Sequence, residues 1–216
     1  MMRKSKLKIH IIGGARPNFI KIAPLIRLLD KDEYFITKFI NTGQHYDSEL
    51  YNKILDDLNL RSPDKNLNVG SFSGNTQISK IMYRYEKYLK KNTPDLVIVF
   101  GDVNSTLAAA LTAKKMGIKL AHIEAGLRCY DDNLPEEVNR RLTDSISDYF
   151  FTSSPNEKIN LKKENIIKNI FFVGNIMIDS LKIILKEKKK NEDKLDKNYA
   201  LVTLHRPENV DNLERF

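Results

Sequence analysis

The sequence predicts an α/β fold, a doubly wound parallel sheet covered by helices. Short apolar runs rich in β-branched and aromatic residues recur along the chain, and most are followed by a polar loop or a helical pattern. These strand-like runs are residues 7–13, 35–41, 96–101, 120–124, 149–152 and 170–174. Because strands that alternate with helices form parallel sheets, this order favours the doubly wound architecture.

Two helices are well marked between these runs. Between residues 76 and 89 the apolar side chains recur every three or four positions, which predicts an amphipathic helix that covers the sheet. Another helix is expected to begin at Asn104 or Ser105, because both are good N-cap residues. Gly117 is placed as its C-terminal cap. The two helices therefore flank the strand-like run at 96–101.

Three further helices are less regular. Residues 19–29 have helical spacing but include Pro24, so we expect a kink or a late start there. Pro135, followed by two acidic residues, marks the start of another helix. A last helix is predicted over about residues 177–190.

A change in composition predicts the domain organisation. Residues 1–181 are interpreted as one N-terminal domain. Residues 182–198 follow as a charged helix end and linker, in which lysines alternate with acidic residues. A strand-like run then opens residues 199–216, which we expect to be the start of a second, truncated domain.

Composition excludes several classes of protein. The 216-residue chain has a formal net charge of +8, but its densest lysine segment contains no interleaved aromatic residues, so a nucleic-acid site is not favoured. No apolar run is long enough to cross a membrane, and the basic start is not followed by the apolar core of a signal peptide. A single cysteine excludes an internal disulfide framework. We therefore expect a cytoplasmic protein.

The turn after the first strand-like run is a candidate anion site. In open α/β sheets, ligands bind beyond the carboxyl ends of the strands. Residues 13–18 begin with two glycines and lead into a helix, and Arg16 and Lys21 supply cations there. The alternative is two solvated surface cations. The spacing is neither the dinucleotide pattern nor a P-loop, so neither NAD nor ATP is indicated.

Carboxylates follow the later strands. Asp102 comes after one run and Glu124 ends the next, while Glu136 opens the helix at Pro135. Alone, Asp102 could cap a helix, and the i,i+4 spacings of Glu136 with Arg140 and of Glu137 with Arg141 could simply stabilise one. Gathered at one sheet edge near the anion site, the carboxylates indicate acid–base catalysis. No cluster has metal-ligand spacing, so no metal is expected.

The motifs resemble those of the non-hydrolysing UDP-N-acetylglucosamine 2-epimerases. Four segments carry the resemblance, in the order and spacing of that family: residues 14–25, residues 42–47, residues 101–140 and residues 203–209. These enzymes are similar in fold to two-domain GT-B proteins, with two Rossmann-like domains and a cleft between them. The resemblance therefore implies that only the first domain is whole here.

The resemblance also implies a reaction. UDP leaves C1 of the sugar, a proton leaves C2, and both return with C2 inverted, so that UDP-GlcNAc and UDP-ManNAc interconvert. Departure of the diphosphate acidifies C2, which calls for nearby carboxylates, and cations must hold the leaving group. No cofactor is expected, the partner is a UDP-sugar, and the protein is expected to form a homodimer.

Site residues are carried over position by position. The resemblance implies diphosphate and substrate contacts by Arg16, Lys21 and His205. It implies an acid–base set of Asp102, Glu124 and Glu136, of which the first two also touch substrate, with His205 counted among the catalytic residues. Arg140 would orient Glu136, and His45 would help line the cleft.

Four alternatives stay open on the sequence. One is a UDP-sugar-dependent glycosyltransferase, which has the same fold and also binds a nucleotide in its cleft. An epimerase of a modified UDP-sugar and a hydrolysing epimerase are nearer relatives. A non-enzymatic binding protein is the fourth. The 216-residue fragment itself is expected to be inactive, because the missing part of the second domain would supply the uridine pocket.

Overall fold

The computed structural model describes residues 6–43, 48–187, 200 and 202–203, with the backbone alone for residues 16, 48–52 and 187. Residue contacts divide the chain into two units, Met1–Lys186 and Glu187–Phe216. The fold given below is that of the first unit. The predicted domain boundaries at residues 181 and 198 stay predictions.

Seven strands form one parallel sheet, which confirms the predicted fold class. They are β1 (Leu7–Gly13), β2 (Phe35–Asn41), β3 (Lys65–Asn66), β4 (Leu96–Phe100), β5 (Lys119–Ile123), β6 (Tyr149–Thr152) and β7 (Ile170–Phe172). Their order is β3-β2-β1-β4-β5-β6-β7, and all neighbours are parallel. The order reverses between β1 and β4, the position at which open α/β sheets bind ligands.

Helices cover both faces of the sheet. They are α1 (Arg16–Leu29), α2 (Ser48–Asp57), α3 (Gly74–Leu89), α4 (Asn104–Lys115), α5 (Pro135–Ile146), α6 (Pro155–Lys163) and α7 (Ile176–Glu187). α3 and α4 pack on one face, whereas α1, α2 and α7 pack on the other, and α6 covers a small cluster at Phe150. Among the helices of the described residues, none combines the length and the apolarity needed to span a bilayer.

The central strand β4 shows why the apolar runs are unbroken. Val97 and Val99 belong to the core beneath α3 and α4, while Ile98 and Phe100 belong to the core beneath α1. Successive strand residues point to opposite faces, so a strand covered on both sides must be apolar throughout. The continuous runs are therefore a consequence of the two helical layers.

One of the two alternatives predicted for α1 is not observed, and the predicted N-cap of α4 is wrong. α1 begins at Arg16 and continues through Pro24, so the late start is not observed. α4 begins at Asn104 with Val103 as its N-cap, one residue before the predicted cap. Its C-terminal end is confirmed, because Gly117 follows the helix with a positive φ of 73°.

Three elements were not predicted, namely α2, β3 and α6. β3 has only two residues, which is too short for a periodic pattern. The predicted strand at 199–205 lies mostly outside the described residues, as do positions 188–190 of the last predicted helix.

His10 on β1 is expected to make stability depend on pH. Its Nδ1 lies 3.1 Å from the hydroxyl of Tyr85, and the imidazole is buried. Burial, together with the charge of Lys38, lowers the pKa of His10 from 6.5 to about 4. Between these two values the unfolded chain binds more protons than the folded one, so the free energy of unfolding should decrease as the pH falls through this window.

Urea unfolding of the wild type and of His10→Gln at about pH 7 and about pH 4.5 checks this expectation. In the variant, the loss of stability between the two conditions should be smaller by up to about 3 kcal/mol. Carboxylates whose pKa values are lowered by folding, such as that of Asp148, change the free energy of unfolding at pH values below this window. An equal loss in both proteins would contradict the role given to His10.

Candidate active site

Glu124 and Lys21 form an ion pair at the carboxyl end of the sheet. Glu124 directly follows β5, and its Oε2 accepts a hydrogen bond of 2.5 Å from Nζ of Lys21 on α1. The exposed fractions of the two side chains are 14% for Lys21 and 11% for Glu124. α1 leaves β1 and β5 adjoins β4, so the pair lies beside the point where the strand order reverses.

Gly101, which follows β4, leaves space for this ion pair beside the main chain. Its φ is +61°, a conformation that residues with a side chain seldom adopt. A Cβ atom at this position would lie 3.2 Å from Oε2 of Glu124 and 3.4 Å from Nζ of Lys21. The absent side chain therefore leaves room for the ion pair directly before Asp102.

Asp102 is held by α5. Its carboxylate accepts a hydrogen bond from Arg140, and its main-chain carbonyl accepts one of 2.8 Å from Nδ2 of Asn139. A second nitrogen of Arg140 donates to Glu137 at 3.1 Å. Within the described part of the chain, Nε of Arg140 is a buried nitrogen without a hydrogen-bond partner.

The helix-stabilising pairs expected in α5 are not the pairs observed. Arg140 contacts Asp102 and Glu137 instead of Glu136, and Arg141 contacts Asp132 instead of Glu137. Glu136 is exposed and has no ion pair within residues 6–43 and 48–187. The predicted orientation of Glu136 by Arg140 is therefore wrong in this structure.

Glu137 is a buried carboxylate that the sequence did not single out. It accepts hydrogen bonds from the N–H groups of Cys129 and Tyr130, at 3.1 and 3.3 Å, and from the Cys129 thiol at 3.2 Å. Burial alone would raise the pKa of Glu137, but these donors and the charge of Arg140 lower it below its usual value. Glu137 therefore holds the loop before α5 as an ionised carboxylate.

α5 turns its polar side inward. Glu137, Asn139, Thr143 and Asp144 are buried, whereas the exposed fractions of Val138 and Leu142 are 43% and 47%. Apolar spacing of this kind usually indicates the buried side of a helix, so the pattern was misleading here. The inward polar residues connect α5 to the ends of β4 and β5.

A sequence model of a known family matches most of the chain. The model described as UDP-N-acetylglucosamine 2-epimerase aligns with residues 27–216. The chain belongs to this epimerase family. Family membership confirms the resemblance drawn from the sequence motifs.

Relatives in the epimerase family cover nearly all of the chain. The UDP-N-acetylglucosamine 2-epimerase homolog of Methanococcus maripaludis is 47% identical over 97% of it. A crystal structure of the Methanocaldococcus jannaschii UDP-GlcNAc 2-epimerase in complex with UDP-GlcNAc and UDP has a TM-score of 0.89 and 45% identity, also over 97%. The UDP-2,3-diacetamido-2,3-dideoxy-D-glucuronate 2-epimerase of Pseudomonas aeruginosa is 34% identical over 97%.

The chain spans 61%, 59% and 60% of the lengths of these three proteins, respectively. Its sheet is the Rossmann-like, doubly wound sheet expected for the first domain of a GT-B-type epimerase.

The epimerase-family residues fall into three groups in the structure. Lys21 and Glu124 are in contact, and Asp102 directly follows Gly101, the glycine packed against this pair. Glu136 lies on α5 but points to solvent. The side chain of Arg16 and the whole of His45 and His205 lie outside the described residues.

Within the described part of the chain, no group of three or more His, Cys, Asp or Glu side chains is placed to hold a metal ion. The carboxylates and cations of the described site can supply proton transfer and charge stabilisation.

Proposed function

We propose that the protein interconverts UDP-GlcNAc and UDP-ManNAc by eliminating UDP and adding it back. The observation that carries the proposal is the Lys21–Glu124 pair, which lies beside Asp102 at the switch point of an epimerase-family sheet. A partly buried carboxylate beside a cation matches the two needs of this reaction, a proton acceptor and a partner for the diphosphate.

The acid–base set proposed is Asp102, Glu124 and Glu136. One carboxylate takes the C2 proton as the C1–O bond breaks. The electrons of the C2–H bond form a C1–C2 double bond, and those of the C1–O bond leave with UDP. Another carboxylic acid returns a proton to the opposite face of C2, and the UDP oxygen bonds to C1 again. The sequence of steps balances without an oxidant or a reductant.

Arg16, Lys21 and His205 are the proposed contacts of the diphosphate and the sugar, and His45 is proposed to line the cleft. Lys21 forms an ion pair with Glu124. A bound diphosphate would compete with Glu124 for this ammonium group, since phosphate oxygens are strong acceptors. Substrate binding would then release the Glu124 carboxylate for proton transfer.

Incubation of the whole protein with UDP-GlcNAc in D2O tests the proposal. NMR should show deuterium at C2 of both UDP-sugars, with UDP still attached. Free ManNAc would indicate a hydrolysing enzyme. An absence of exchange would contradict epimerisation and favour transfer or binding alone.

A modified UDP-sugar is the second candidate substrate. Its support is the 34% identity to the enzyme that is named for UDP-2,3-diacetamido-2,3-dideoxy-D-glucuronate. The two candidates are separated by measuring C2 exchange on both sugars in parallel. If kcat/KM were larger for the uronate, the uronate would become the proposed substrate in place of UDP-GlcNAc.

A homodimer in the cytoplasm completes the proposal. The resemblance of the motifs supports the dimer, and the single cysteine suits a reducing compartment. Light scattering that gives the mass of a monomer for the whole protein would contradict the assembly.

A further inference from the structure

Asp144 joins three parts of the candidate site. This fully buried side chain on α5 accepts a hydrogen bond of 2.7 Å from Nδ1 of His122 through Oδ1. Through Oδ2 it accepts bonds of 3.0 Å from the N–H of Gly126 and 2.8 Å from Arg128. Burial alone would raise the pKa of Asp144, but His122 and Arg128 lower it below its usual value. Asp144 is therefore ionised.

Each ring nitrogen of His122 faces a group that accepts hydrogen bonds. Nε2 lies 2.8 Å from the carbonyl oxygen of Gly101, and a carbonyl oxygen can only accept a hydrogen bond, so Nε2 carries a hydrogen. Nδ1 faces the ionised Asp144 carboxylate, which also only accepts. Both ring nitrogens of His122 therefore face groups that accept hydrogen bonds, and one of these groups is a buried carboxylate.

This pair holds the main chain just before Asp102 and just after Glu124. His122 binds the carbonyl of Gly101, the residue before Asp102. Glu124 lies between His122 and Gly126, which are two of the three residues that Asp144 binds. Glu124 has a φ of +68°, and such a conformation persists only where its surroundings fix it.

We propose that His122 and Asp144 form a buried ion pair that positions Asp102 and Glu124 for proton transfer. Both are positioning residues, because both are fully buried and their hydrogen bonds go to other groups of the chain. The inference rests on the proposed function. A misplacement of about 1 Å at a reacting group can cost about 10²-fold in rate, so loss of the pair should be seen in kcat.

NMR of the whole protein with ¹⁵N-labelled histidine tests the ion pair without any use of activity. Both ring nitrogens of His122, assigned by their loss in His122→Gln, should give the signals of protonated nitrogens at neutral pH. One unprotonated ring nitrogen in the wild type would overturn the ion pair. The result does not depend on the identity of the substrate.

Kinetics of Asp144→Asn test the positioning role. We expect kcat to fall by about 10²-fold with KM nearly unchanged, since no substrate contact is removed. His122→Gln should show the same split, which provides a second variant if the first does not fold. If kcat/KM fell only because KM rose, with kcat unchanged, the positioning role would be wrong.

Asp148→Asn is the matched control. Asp148 also binds two cations and a main-chain N–H, through Lys114, Lys119 and Leu120, but at the amino end of β5. Its variant should lose stability yet keep kcat. Equal kcat values in Asp144→Asn and Asp148→Asn would overturn the proposal, whereas absence of C2 exchange in the wild type would instead overturn the proposed function.

Discussion

Replacing Glu124 by Gln should reduce deuterium exchange at C2 of UDP-GlcNAc by about 10²–10⁴-fold, the range lost with a general acid or base. Gln has nearly the shape of Glu, and its amide oxygen can still accept a hydrogen bond from Lys21. It carries no charge and cannot take up the C2 proton. The variant therefore tests proton transfer at Glu124 with little change in packing.

Exchange is measured by NMR on the whole protein, and folding is checked by circular dichroism. Glu86→Gln is the matched control, since Glu86 also pairs with a lysine, Lys90, at 2.6 Å but on the exposed surface of α3. Exposed pairs contribute little, so this variant should behave as wild type. If Glu124→Gln exchanged deuterium at the wild-type rate, the acid–base role of Glu124 would be wrong.

The strands were predictable because two helical layers impose a simple pattern. β1, β2 and β6 have the predicted bounds, β4 and β7 differ from the prediction by one or two residues at the C-terminal end, and β5 is shifted by one residue at both ends. α6 escaped prediction because its buried residues, Glu157 and Leu161, include only one apolar side chain. A helix that buries so little apolar surface leaves no periodic signal.

The location of the candidate site was more predictable than its contacts. The strand-end rule placed Asp102 and Glu124 at the carboxyl ends of β4 and β5, and the structure has them there. The partner of Arg140 depended on which side of α5 faces the sheet. Spacing allowed Glu136 as that partner, whereas the inward polar side of the helix brings Asp102 and Glu137 to it.

Tertiary contacts also explain why the His122–Asp144 pair gave no signal in the sequence. The two residues are 22 positions apart, on β5 and α5, and neither lies in a short pattern that implies an ion pair. His122 is buried in a strand, and its two ring nitrogens are satisfied there by the Asp144 carboxylate and the Gly101 carbonyl. Such pairing follows from packing and not from local spacing.

A methyl group on Gly126 should destabilise the protein more than one on Gly117. Both residues have a positive φ, +83° and +73°, so either alanine incurs the same conformational cost of about 1–2 kcal/mol. A Cβ atom at Gly117 would meet nothing within 4 Å. At Gly126 it would lie 2.5 Å from the main-chain oxygen of Glu157, which adds an overpacking cost of about 1–3 kcal/mol.

Urea unfolding of Gly126→Ala and Gly117→Ala measures the difference directly, because the shared conformational cost cancels. Equal losses of stability would mean that α6 moves away from the new methyl group without cost. Such a movement is opposed by two contacts: the Glu157 side chain binds Ser153, which directly follows β6, and Asn160 donates a 3.0 Å hydrogen bond to the carbonyl of Gly126. The glycine is therefore required by the close packing of α6 on the loop that follows Glu124.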